Sequence, residues 1–140
     1  MNDTTMTSLA NDLRIACQRV SRRVRFESSA ELPPHHVSAL SNLRRRPLTP
    51  GELAEAERVS APSMTKTVNC LVDKGLIARV DHPDDGRCKV LNLTVEGGAA
   101  LDRIAAARDD WMVRQLDGLT KGERALLREA TDLLNRVLGE

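Results

Sequence analysis

Ser60-Ala61-Pro62-Ser63-Met64-Thr65-Lys66-Thr67-Val68-Asn69-Cys70-Leu71-Val72-Asp73-Lys74-Gly75 is the stretch whose reading decides the fold. Met64, Val68, Leu71 and Val72 recur at helical spacing and define one apolar face. At about 100° per residue, the opposite face carries Pro62, Ser63, Lys66, Asn69, Cys70 and Asp73. Small hydroxyls, an amide and a cation held on a rigid rod suit a groove of DNA. An enzyme pocket would gather acids, bases and nucleophiles instead.

Immediately upstream, Thr49-Pro50-Gly51-Glu52 has the form of a capping box, with Thr49 as N-cap, Pro50 at N1 and Glu52 at N3. It opens a short helix to about Glu57, with Leu53, Ala54 and Val59 turned inward. Arg58-Val59-Ser60 is the turn, and Ser60 caps the next helix. Two short helices joined this way make a helix-turn-helix. Gly75 ends the second helix as a C′ glycine. Leu76–Val80 and Lys89–Leu93 then read as strands around the turn-rich tip His82-Pro83-Asp84-Asp85-Gly86-Arg87. A hairpin in that position is a wing.

Further out, Leu9, Leu13, Cys17, Val20 and Val24 make an amphipathic helix from Thr7 to about Ser29, after frayed residues 1–6. Pro33 and Pro34 break it and seed a second helix with Val37, Leu40 and Leu43 inside. Arg44-Arg45-Arg46 at its end complement the helix dipole, and contact with DNA is an equal reading. Thr94 caps a long helix to about Gly118, striped by Leu101, Ile104, Trp111, Met112, Leu116 and Leu119. A second capping box, Thr120-Lys121-Gly122-Glu123, opens a last helix with a broad apolar stripe through Leu126, Leu127, Ala130, Leu133, Leu134, Val137 and Leu138. A chain this small cannot bury all three stripes of its outer helices, which predicts a two-fold homodimer.

The whole reads as one domain, mainly α with a small β-hairpin: dimerisation helices over 7–31 and 95–140, and a winged helix-turn-helix over 34–94. Its 140 residues suit one core, with 41% hydrophobic and 29% charged residues. No run is long enough for a membrane helix and no signal peptide is evident, so a cytoplasmic location is expected. Net charge is only +1, with the positive surplus in the first two thirds. Cys17, Cys70 and Cys88 are too few and too widely spaced for a disulfide scaffold or a zinc ribbon. His35, His36 and His82 have no metal-ligand spacing. No nucleophile–base pair or phosphate-binding glycine loop is present, so neither catalysis nor a cofactor is expected.

The chain resembles the MarR family of bacterial transcription regulators, from Leu9 to Leu138. The resemblance rests on Ser60–Lys66, on Leu71–Ile77, and on Asp85-Gly86-Arg87 running to Leu93-Thr94. It implies a triangular homodimer on double-stranded DNA, with each recognition helix in a major groove and each wing in the adjacent minor groove. It assigns Ser63, Lys66, Thr67 and Asn69 to bases and nearby phosphates, with Thr65 on the flank. Arg87 would enter the minor groove, held by Asp85; Thr49 and Lys74 are phosphate contacts of lower rank. The family also implies a small aromatic or anionic effector. Arg14, Arg22, His35, His36 and Trp111 could lie near its crevice, but no effector contact is assigned.

The chain departs from the family at Cys70, where a basic residue is frequent. Peroxide sensors of the family surround an N-terminal cysteine with tyrosines, and this chain has none; Cys17 is read as a packed core thiol. Two alternatives stay open beside a ligand-released repressor. One is a winged-helix module that makes protein contacts without DNA, favoured by the low net charge and Cys70 and opposed by Lys66 and Arg87. The other is a thiol-responsive regulator.

Overall fold

The structure, a computed structural model, describes residues 3–28 and 31–140. Six helices and one hairpin follow in the order α1 (Asp3–Glu27), α2 (Pro34–Arg45), α3 (Pro50–Glu57), α4 (Ala61–Asp73), β1 (Ile77–Asp81), β2 (Lys89–Leu93), α5 (Val95–Leu116) and α6 (Lys121–Leu138). The caps explain most of these boundaries. The Thr49 hydroxyl accepts from the Glu52 N–H at 3.1 Å while the Glu52 carboxylate accepts from the Thr49 N–H at 3.0 Å. Thr120 and Glu123 repeat the device at the head of α6. Pro34 and Pro50 occupy first turns, where a missing N–H costs nothing.

The core joins α2, α3, α4, the hairpin and the first half of α5. Leu40, Leu53, Leu71, Leu91 and Val68 are its most completely buried large side chains. β1 and β2 pair antiparallel from Ile77↔Leu93 to Asp81↔Lys89. Leu48 adds an isolated bridge to Leu91, with Leu91 N–H to Leu48 O at 2.7 Å, which ties the hairpin to the α2–α3 connection.

Where hairpin and α5 meet, the Thr94 hydroxyl accepts from the Gly97 N–H at 3.0 Å and donates to the Gly75 carbonyl at 2.6 Å. Gly97 has to be glycine there: a Cβ would lie 2.1 Å from the Leu76 carbonyl oxygen. Two ion pairs brace α5 against the preceding elements. Arg44 reaches Asp102 and the Gly98 carbonyl, both at 2.8 Å, and Arg103 pairs with Glu31 at 2.5 Å.

The outer helices differ. No residue of α1 or α6 is buried within the chain. Leu9, Leu13 and Val20 of α1 are exposed, as are Leu126, Leu127, Leu133, Val137 and Leu138 of α6. The 64% exposure of Leu126 and 72% of Val137 leave that stripe without intrachain cover.

Five expectations from the sequence are corrected. Helix α1 begins at Asp3, so residues 3–6 are helical rather than frayed; its expected end at Ser29 falls outside the described residues. β1 lies one residue later than read, and α5 stops at Leu116. Val59 points outward, because Arg58 takes a left-handed conformation (φ 55°) and turns the chain after α3. Cys17 is exposed, because the α1 face that carries it has no intrachain partner.

Candidate nucleic-acid interface

Helix α4 is fixed from behind by Met64, Val68 and Leu71, all buried, so its other face is held toward solvent. Ser63, Thr65, Lys66 and Asn69 are exposed on it. Their hydrogen bonds decide what each can offer. Ser60 Oγ donates to Ser63 Oγ at 3.0 Å, leaving the Ser63 proton free to point outward. Thr65 Oγ1 instead donates to the Ala61 carbonyl of its own helix at 2.9 Å, so its outward capacity is that of an acceptor. Thr67 is half-buried and lines a cleft of about 370 Å³ with His35, Glu57 and Lys66. Thr49 is half-buried too, its oxygen already engaged in the cap. Lys74 is exposed, at the C-cap of α4 and far from the Ser63 end.

The wing tip is built around Asp85. Its Oδ1 accepts from the Arg87 N–H at 3.0 Å and lies 3.5 Å from Arg87 Nε. The Asp85 carbonyl accepts from the Cys88 N–H at 3.0 Å, and His82 Nδ1 from the Asp84 N–H at 3.1 Å. The guanidinium of Arg87 is thereby aimed while its side chain stays 95% exposed. Lys89 and Asp81 pair across the strands just behind the tip.

Sequence reasoning missed Arg79. Strand periodicity puts Ile77, Arg79 and Asp81 on one face of β1. Ile77 is buried; two residues on, opposite the buried Leu91, Arg79 is exposed and its guanidinium donates to Oδ1 of Asn69 on α4. The alternation of β1 was the available signal, but the partner ten residues earlier had none. Of the Arg44–Arg46 cluster, Arg44 serves α5 and Arg46 lies 3.5 Å from Glu52, while Arg45 is exposed.

Other chemistry is sparse. Among the described residues no group of three or more His, Cys, Asp or Glu is gathered where a metal ion could sit, and no helix is long and apolar enough to cross a membrane. His36 is buried on α2 with Nδ1 unpartnered, and desolvation, then the charges of His35 and Lys74, push its pKa below the ordinary 6.5. Arg22 and Trp111 do share a groove between α1 and α5, where the Arg23 guanidinium lies 5.4 Å from the Trp111 ring centre. Cys70 is half-buried and Cys88 exposed.

Residues 30–87 match the sequence profile of the MarR family. An HTH-type transcriptional regulator of Mycobacterium tuberculosis is 37% identical over 134 residues, covering 94% of each chain. A counterpart in Mycobacterium leprae is 36% identical with the same coverage. Among solved structures, the YusO protein of Bacillus subtilis superposes with a TM-score of 0.73 at 27% identity, covering 97% of this chain and 98% of its own. A cysteine-to-serine mutant of MarR from E. coli gives 0.73 at 26% identity, covering 93% and 96%. With its winged helix, its exposed α4 face and these relatives, the chain belongs to the MarR family of transcriptional regulators and is not an enzyme.

Proposed function

We propose that this regulator is a homodimer that binds a pseudo-palindromic operator sequence-specifically and represses until a small aromatic or anionic effector releases it. The observation that carries the DNA contact is the exposed row Ser63, Lys66 and Asn69 on a helix pinned by its other face, with Arg87 presented at the wing tip. Base contacts come from α4, with phosphate contacts from Thr49 and Lys74 and an outward acceptor at Thr65; Thr67 sits at the edge of the cleft. Segment 34–94 is the DNA-reading part, and the helices over 7–31 and 95–140 form the dimer.

Repression and release follow from geometry. Two recognition helices must lie about one DNA turn apart, roughly 34 Å, to fill successive major grooves. A ligand that holds the dimer at another spacing lowers affinity without touching α4. The groove beside Trp111, about 400 Å³ with arginines around an indole, has chemistry suited to such an anion.

Fluorescence anisotropy on an operator duplex tests the DNA contacts. Arg87→Ala weakens binding by ~1–3 kcal/mol with the dimer intact. Lys66→Ala likewise weakens operator binding with the dimer intact. Wild-type affinity in both variants contradicts the docking.

A further inference from the structure

Arg79 bears on the specificity of the α4 face, an inference that rests on the DNA-binding reading above. Arginine has only donors, so the Asn69 amide atom it bonds must be the oxygen. The Asn69 NH₂ is left as the outward group. Ser63, whose oxygen already accepts from Ser60, also presents a proton, and Lys66 has donors alone. Residues 63, 66 and 69 thus form a row of donors, stepping about 4.5 Å along the helix each time.

We propose that Arg79 is a specificity-determining residue that fixes the Asn69 amide with its oxygen toward β1 and its NH₂ outward, so that Asn69 reads DNA chiefly as a donor. An asparagine reads adenine by accepting from N6 while donating to N7. That pairing needs the oxygen and the NH₂ side by side on one outward edge, and Arg79 holds the oxygen toward β1. An NH₂ alone suits a base edge of acceptors, which in the major groove is guanine with O6 and N7, or thymine with O4. Cytosine, presenting N4–H₂, is repelled. Arg79 acts through Asn69, as a positioning residue, from the rung of the hairpin that it shares with Leu91.

Selection of bound duplexes from a random library, followed by sequencing, tests this with the full-length chain and two variants. For the wild type, one position in each half-site favours guanine or thymine and disfavours adenine. Arg79→Met keeps the aliphatic stem of an exposed side chain but removes the donor, so the amide can turn over. Adenine then gains about tenfold at that position and nowhere else. Asn69→Asp still accepts from Arg79 but has no donor, and shifts the same position toward cytosine. Circular dichroism and sedimentation verify that each variant is a folded dimer.

If Asn69→Asp changes one position and Arg79→Met changes none, or weakens all sequences equally, Arg79 does not set specificity and this inference alone is overturned. If Asn69→Asp alters no position, Asn69 meets no base, and the base-reading role of that part of α4 falls as well.

Discussion

Gly97 shows how a single residue can be fixed by its neighbours rather than by its own element. A glycine three residues into a helix costs up to about 1 kcal/mol relative to alanine, so its presence asks for a reason. The reason is the Leu76 carbonyl, 2.1 Å from where a Cβ would stand, with Leu93 Cδ1 at 2.7 Å. Gly97→Ala is therefore expected to destabilise by more than about 2 kcal/mol, because the nearest obstacle is backbone; denaturant unfolding measures it. His36 supplies a second test at this scale. Its folded pKa lies below 6.5, the unfolded value, so below pH 6.5 the unfolded chain takes up a proton that the folded chain resists. Stability falls as pH drops through that window toward the folded pKa. Unfolding curves from pH 7.5 to 5.5 are expected to show this fall, and His36→Leu to flatten it. The exposure of Ser63, Lys66, Asn69 and Arg87 is legible in the sequence because helix phase and hairpin turn are local signals. The Arg79–Asn69 bond is not, because it joins two elements whose relative placement is set by the core.

Elements with a cap of their own were legible nearly to the residue. Thr49 with Glu52, Ser60, Thr94, and Thr120 with Glu123 each announce a helix start, and each side chain makes the bond its position implies. A helix start without such a signal is not legible locally. Asp3-Thr4-Thr5 has no apolar period, and the start of α1 depends on bonds such as Thr7 Oγ1 to the Asp3 carbonyl. The Leu48↔Leu91 bridge pairs segments too distant for local pattern to foresee. Among the elements, α6 makes the clearest demand on a partner, since its leucines face solvent in the single chain. Leu133→Glu places a charge in the middle of that stripe. Sedimentation velocity is expected to find a monomer at concentrations where the wild type is a dimer, with the winged part still folded, because α6 contributes no buried residue to the core.

For the whole molecule, the two kinds of surface have to act together. In the proposed dimer, the apolar faces of α1 and α6 would carry association, and the α4 row with Arg87 would make the DNA contact. Arg44–Asp102 and Arg103–Glu31 add ion pairs to a seam already packed by Ala100, Leu101 and Ile104, so in the proposed dimer the attitude of α4 follows α5. Both pairs are exposed and worth little for stability. Arg44→Ala with Arg103→Ala is expected to leave the dimer intact while lowering operator affinity, which band-shift titration against the wild type detects. In the proposed function the dimer reads sequence. Its most direct measurement is anisotropy of the full chain on a selected duplex against a scrambled one, across a salt series, with stoichiometry. One dimer per site and tight binding to the selected duplex alone are expected, at salt concentrations where the scrambled duplex has dissociated. Equal, weak and steeply salt-dependent binding to both duplexes would contradict it, leaving only attraction to the phosphate backbone.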